Sequence, residues 1–266
     1  MTAPVAQPIT SRDNPLLVRL RKLLRDGAGY RKDGEVWLEG EHLCSALRQR
    51  GWRPAQAVVA ESAWAKPPLR ELAHWAPRIA LLPDALFDSL STLESPSRLG
   101  FLWPLPARAP IDGALASIVL DRVQDAGNVG SILRSASAFG FTQVLALRGT
   151  ASLWSPKVLR AGMGAHFALR LIEGLQPADL DTLAVPWIGS SLQASTPLHR
   201  TVLPFPCAWL FGHEGQGVDA ALQARCAQLV RIAQPGGEES LNVAAAAAIC
   251  LHESMRQADA DRPRDQ

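Results

Sequence analysis

From Glu35 onward, short apolar runs and longer mixed stretches take turns along the chain. EVWLEG (35–40), AQAVVA and RIALL carry the β-branched and aromatic content of strands. EHLCSALRQRG, PLRELAHW and the shorter ALFDSLS read as helices, the first closing at Gly51. Strands alternating with helices predict a small α/β layer structure. WPLPARAP, Trp103 to Pro110, then brings three prolines, which resist both helix and central strand. This reading sets an N-terminal domain at 1–104, with 1–10 a loose tail, and a linker at 105–113. A second domain follows at 114–266, with 257–266 a second loose tail.

Past the linker the alternation resumes at larger scale. SIVL, QVLAL, HFALRLI, PWIGS, CAWLFG and AQLVRI read as strands. NVGSILRSASAFG, SPKVLRAGMG, a short DLDTL, VDAALQARC and a long helix from Ser240 to about Arg256 lie between and after them. Six apolar strands with interleaved helices predict a mainly parallel sheet covered on both faces.

Composition adds limits. The 266 residues are 47% hydrophobic and 20% charged, with a net charge of +2, so overall charge gives no argument for a nucleic-acid partner. Its distribution says more. Arg19, Arg21, Lys22, Arg25, Arg31 and Lys32 crowd one segment around Asp26. They form either a solvated helix face or a phosphate-facing patch. Cys44, Cys207, Cys226 and Cys250 have neither zinc spacing nor a disulfide framework. No signal peptide and no run near the length of a membrane span occurs, so a reducing cytoplasm is the expected location.

Ligands of open parallel sheets gather beyond the carboxyl ends of strands. Three polar stretches lie there. The first is DRVQDAGNVGSILRSASAFG, in which Asn128 stands as the helix N-cap. Val129, Leu133, Ala136 and Phe139 give this helix a buried stripe, and Gly130, Ser131 and Ser135 keep another surface small. Arg134 lies beside that small surface, as a ligand-facing cation or a merely solvated one. The second is GHEGQGV, where Glu214 sits among Gly212, Gly215 and Gly217, in a tight loop or against a ligand. The third is GGEESLN before five alanines. Ser240 caps the last helix in this reading, while Asn242, a poor helix former, is left over. The second histidine of HExxH is missing and the glycines oppose a helix, which excludes that zinc site. Walker A, GxGxxG and GxSxG motifs are absent as well.

Taken in order, VQDAGNVGSILRSASAFG, LFGHEGQGV and IAQPGGEESLNVAAAAAICLHE resemble the three motifs of the SpoU (TrmH-type) RNA ribose 2′-O-methyltransferases of the SPOUT superfamily. The resemblance runs from about Ala114 to Arg256. More loosely, SRDNPLLVRLRKLLRDGAGYRKDGEVWLEGEHL resembles the L30e-like substrate-binding domain of that family. Ala126 stands where the family has proline, Ile232-Ala233-Gln234 where it has Ile-Pro-Met, and Ala244 where serine is common.

The resemblance implies an α/β fold with a trefoil-knotted, mainly parallel C-terminal sheet, and a homodimer whose active site is completed across the interface. It implies S-adenosylmethionine as cofactor, bound bent through Gly212, Ile232 and Leu241, and no metal. It assigns the reaction, methylation of a ribose 2′-hydroxyl in structured RNA, to Arg134 as the central residue, with Asn128, Glu214, Ser240 and Asn242. It ranks ribosomal RNA ahead of transfer RNA and places RNA contacts at Arg21, Lys22, Arg25, Arg31 and Lys32. A non-catalytic RNA-binding protein on the same fold is the alternative, and a small-molecule methyltransferase a third.

Overall fold

The structure, a computed structural model, describes residues 4–91, 95–236 and 240–260. The chain divides into two units, one comprising 1–107 with 154–167, the other 108–153 with 168–266.

The first unit begins with a strand, β1 (Ala6–Pro8), where the sequence reading expects a loose tail. Its three residues pair parallel to β4, and Ile9 N–H donates to the Leu81 carbonyl at 2.9 Å. So short an edge strand needs no apolar periodicity, and Pro8 is tolerated because an edge leaves one side unpaired. Next come α1 (Pro15–Arg25), α2 (Tyr30–Asp33), β2 (Glu35–Glu39), α3 (Glu41–Gln49), β3 (Gln56–Ala60) and α4 (Glu61–Trp64). Helix α5 (Pro67–Ala73), β4 (Ile79–Leu82), α6 (Asp84–Asp88) and β5 (Leu99–Pro104) complete the mixed sheet, ordered β1-β4-β3-β5-β2. Strand β5 is antiparallel to both neighbours and escapes the sequence reading because it runs straight into the prolines. Its Gly100 is dictated by Trp37: a Cβ there would lie 2.2 Å from the indole ring.

In the second unit, β6 (Ser117–Asp121), α7 (Ala126–Ala138) and β7 (Gln143–Leu147) open a wholly parallel sheet. The chain then lends 154–167, with helix α8 (Pro156–Gly162), to the first unit, although its position in sequence places it in the second domain. Within the first unit Trp154 stacks obliquely on His166 at 5.1 Å. The strand expected over HFALRLI therefore starts late. Ala165–Ala168 is a 3₁₀ turn, and β8 runs Arg170–Leu175.

Strands β9 (Trp187–Ser190) and β10 (Ala208–Gly212), helix α9 (Ala220–Gln223), β11 (Gln228–Val230) and α10 (Val243–Ala260) follow. The strand order is β11-β9-β10-β6-β7-β8. One face packs Val119, Leu145, Ile172, Trp187 and Leu210 into a single cluster. Helix α10 packs on α7 and on β10 through Ala247, Cys250, Leu251 and Ser254, spacings that trace one helical stripe. The Trp209 indole N–H donates to the Ser254 hydroxyl at 2.8 Å, fixing the register of α10 on β10. The helix reaches Ala260, beyond the expected start of the C-terminal tail; 261–266 lie outside the described residues. All four cysteines are free, and burial pushes the thiols of Cys207 and Cys250 up to about 12.

Candidate functional site

Because every strand of this sheet is parallel, Asp121, Ser190, Gly212 and Val230 end their strands on the same edge. The three polar stretches start from that edge, and two of their helix starts differ from the sequence reading. Asp125, not Asn128, caps α7: its carboxylate accepts the Asn128 backbone N–H at 2.7 Å. Asn242, not Ser240, caps α10, its side-chain oxygen accepting the N–H groups of Ala244 at 2.9 Å and Ala245 at 3.2 Å. Both outcomes follow from spacing, since an N-cap side chain reaches N–H groups two and three residues ahead. Ser240 stands two positions too early to cap a helix that begins at Val243.

With the caps assigned, Asn128 is free to bridge. Its side-chain N–H donates to Glu214 Oε1 at 3.1 Å, and its oxygen accepts from Asn242 Nδ2 at 2.8 Å. Glu214 also accepts backbone N–H groups from Gln124 at 3.2 Å and Asp125 at 3.1 Å. One chain of hydrogen bonds thus links the start of α7, the loop after β10 and the start of α10. Partial burial works to raise the Glu214 pKa. The Asn128 side chain and the backbone donors outweigh it and hold the carboxyl below the usual glutamate range.

Gly212 has a steric reason to be glycine. A Cβ there would lie 2.3 Å from the backbone of Gly217 and Val218. The loop closes through paired bonds between His213 and Gly217 at 3.0 and 2.8 Å, with Gly217 at φ 69°. His213 Nδ1 accepts from Gly215 and Gln216 N–H.

The sequence reading misses a second tie. Asp121, 2% exposed, accepts two bonds from Arg122 at 2.8 and 3.0 Å and the Asp219 N–H at 2.8 Å. Arg122, at φ 58°, also reaches Gln216 at 3.1 Å. A charged residue ending an otherwise apolar strand was the available signal.

Other predicted residues stand apart from the network. Arg134 is the ninth residue of α7, exposed, with no side-chain hydrogen bond or ion pair among the described residues. Ser240 is exposed and likewise has none among them. Leu241 precedes Asn242 and is 38% exposed. Ile232 is half-buried just past β11, and Gly237 to Glu239 lie outside the described residues.

These groups suit an adenosyl sulfonium, which has apolar ring faces and polar edges. Ile232 and Leu241 offer partly exposed apolar surface, and Gly212 adds no side chain. Gln234 Oε1 is buried with no hydrogen-bond partner among the described residues, an acceptor that an amine donor would satisfy. A cavity of about 360 Å³ at the same edge is lined by Asp121, Arg122, Arg148 and Asp219 and includes none of the predicted cofactor residues. Among the described residues no cluster of side chains could hold a metal ion, and no helix is long and apolar enough to cross a membrane.

In the first unit the basic segment is partly neutralised. Lys22 pairs with Asp33 at 3.0 Å, Arg19 with Glu35, and Arg21 donates to the Arg12 carbonyl at 2.8 Å. Arg31 lies over the Tyr30 ring at 5.6 Å. Arg25 and Lys32 are exposed, without side-chain partners among the described residues.

Comparison with known proteins gives a consistent answer. Residues 116–252 match the model of the SpoU rRNA Methylase family. A Synechocystis protein described as the uncharacterized tRNA/rRNA methyltransferase slr1673 is 30% identical over 97% of this chain and 96% of its own. The 23S rRNA (uridine(2479)-2′-O)-methyltransferase of Streptomyces viridochromogenes is 28% identical over 96% of this chain and 93% of its own. The solved SpoU methyltransferase AviRb from that organism, in complex with AdoMet, shares the fold with a TM-score of 0.85 at 23% identity, covering 94% of this chain and 100% of that one. The chain belongs to the SpoU rRNA methylase family.

Proposed function

We propose that this protein methylates a ribose 2′-hydroxyl of ribosomal RNA, using S-adenosylmethionine. The observation that carries the reading is the hydrogen-bonded chain Glu214–Asn128–Asn242, which gathers three separated motifs at one sheet edge. Family membership and relatives that act on 23S rRNA support it.

The cofactor supplies a methyl group on a positively charged sulfur. Gly212, Ile232 and Leu241 hold it in this proposal, largely through backbone groups, and Ser240 borders the pocket. A ribose hydroxyl is a weak nucleophile, so the protein must orient it and provide for its proton. Arg134 does the orienting. A guanidinium stays protonated, so Arg134 binds the adjacent RNA phosphate and aims the hydroxyl, and the phosphate or a water takes the proton. Asn128, Glu214 and Asn242 fix the loops around it.

Arg134 stands outside the network of its own chain, so we place the working site in a homodimer, where the partner copy completes it. Exposed Ile249 on α10 and the small residues of α7 give that interface apolar, closely approachable surface. The C-terminal strands form the trefoil knot that the family resemblance implies. The first unit, with Arg25 and Lys32 exposed on its basic segment, contacts RNA, and the protein works in a reducing cytoplasm.

Mass-spectrometric mapping of ribose methylation in ribosomal and transfer RNA, with and without the protein, tests the reading. One ribosomal nucleotide should lose its methyl group when the protein is absent. Unchanged maps of both RNAs would remove the proposal.

A further inference from the structure

We propose that the turn after α3 carries a stacking platform for an unpaired RNA base, built on Trp52 and ringed by arginines. This rests on the RNA reading above and names a surface outside the basic segment of α1 and α2.

The platform follows from how α3 ends. Gly51, at φ 75°, donates its N–H to the Arg48 carbonyl at 2.9 Å, and Trp52 N–H donates to Leu47 at 3.3 Å. This turn stops the helix and leaves Trp52 at the surface, 44% exposed. Exposing so large an apolar ring is uncommon in a folded chain. The turn is also held firmly. The Trp75 indole N–H donates to the Trp52 carbonyl at 2.7 Å. The Arg53 guanidinium lies 3.7 Å over the Trp75 ring and donates to the Trp75 carbonyl at 3.2 Å. The Trp52 ring meets buried Trp103 edge-on at 5.9 Å. A ring held against Trp103, with exposed surface remaining, is ready to stack without ordering anything further.

The charges on this turn are mostly positive. Arg48, Arg50, Arg53 and Arg78 all lie on this turn or bond to it. Among the described residues their only carboxylate partner is Glu71, on Arg48 at 3.0 Å. Arg50 is exposed with no side-chain partner there, and Arg78 donates only to the Ala55 carbonyl, at 3.4 Å. The basic segment of α1 and α2 lacks such a ring: Asp33 and Glu35 answer part of its charge, and its one aromatic ring, Tyr30, is 4% exposed.

An exposed tryptophan on a turn that also carries the unpaired Arg50 recognises a base with its flanking phosphates. Duplex RNA hides its base faces, so the occupant is an unpaired loop. Stacking is sequence-tolerant, so the platform adds affinity and register rather than base identity.

Fluorescence anisotropy on the full chain tests this, using a labelled stem-loop RNA with an all-uridine loop and a fully paired duplex of matching length. Trp52→Ala should weaken stem-loop binding roughly tenfold and leave duplex binding unchanged. Trp52→Phe, which keeps a ring, should retain most of the affinity. Arg50→Gln should lower the salt dependence by about one counterion. A circular-dichroism melt with an unchanged thermal midpoint in each variant shows that the first unit, which carries Trp52 and Arg50, stays folded. Wild-type affinity in Trp52→Ala, or equal losses on stem-loop and duplex, overturns the platform and leaves the RNA reading standing. A wild-type chain that binds neither this RNA nor ribosomal RNA removes that reading, and the platform with it.

Discussion

Two parts of helix α7 make opposite use of their polar side chains. At its start, Asn128 is tied on both sides, to Glu214 and to Asn242. Six residues further on, Arg134 is exposed and bonds to nothing else among the described residues. The network joins three distant segments into one edge, so its members answer for the shape of the site. A lone exposed guanidinium contributes almost nothing to the folded chain. A long cation beside an otherwise small-residue surface is placed for something that arrives from outside. The contrast separates architecture from chemistry, and mutation can sharpen it.

The largest effect belongs to Arg134→Ala. Under the proposed role, methyl transfer to ribosomal RNA falls at least about a hundredfold, the loss of a positioning group. The thermal midpoint stays close to wild type, because an exposed unbonded side chain shifts stability by less than about 0.5 kcal/mol. Arg134→Lys should rescue little, since an ammonium lacks the forked geometry that grips a phosphate. Single-turnover methylation and a thermal melt on the same preparation check both halves. A clear drop in the midpoint would move Arg134 into the architecture and erase the contrast.

Glu214→Ala attacks the other side. It strips an acceptor from the Asn128 side chain and from two backbone N–H groups. Leaving donors without partners costs about 1–3 kcal/mol, here toward the lower end because water reaches Glu214. Stability and activity should fall together, whereas Arg134→Ala separates them. Glu214→Gln keeps one acceptor oxygen and should lie between. Urea unfolding monitored by circular dichroism provides the stability values.

Much of this was legible from the chain. All six strands of the second unit, and the residues of all three network motifs, could be found from apolar runs ending in polar stretches. Strand ends announce themselves because burial on both faces demands continuous apolar sequence. The caps were misassigned because Asp125 and Asn128 each fit a helix start, as do Ser240 and Asn242, and only backbone geometry chooses between them. Strands β1 and β5 were missed for want of length and for nearness to proline. That 154–167 folds with the first unit was hidden as well, since local sequence does not say which unit an apolar helix face will meet.

Asn242 does two jobs, and two substitutions divide them. Asn242→Ala removes both the α10 cap and the bond to Asn128, and should cost about 1 kcal/mol or somewhat more. Asn242→Ser keeps a capping oxygen and loses the donor to Asn128. If the link between α7 and α10 matters for shape, Asn242→Ser retains most of the stability but binds S-adenosylmethionine more weakly, as measured by calorimetry. Equal cofactor binding in wild type and Asn242→Ser would reduce Asn242 to a cap.

The smallest expected effect is a pH dependence. The folded-state pKa of Glu214 is lowered, so its carboxylate stabilises the fold at pH above the ordinary glutamate range. That contribution disappears as pH falls through the depressed folded-state value. Other groups titrate nearby, notably Glu253, which Arg256 and Gln257 hold at about 2. Raw acid sensitivity therefore identifies no single residue. Subtraction does: both proteins carry Glu253, and only the wild type carries a titrating group at position 214. The wild-type advantage over Glu214→Gln in unfolding free energy should be flat near neutrality and shrink on acidification. It should shrink by less than the loss on going to alanine, because glutamine still accepts one bond. A gap that stays constant down to pH about 3, below the ordinary glutamate value, would mean that the carboxylate charge adds nothing beyond its geometry. The network would then be held by hydrogen-bond placement alone.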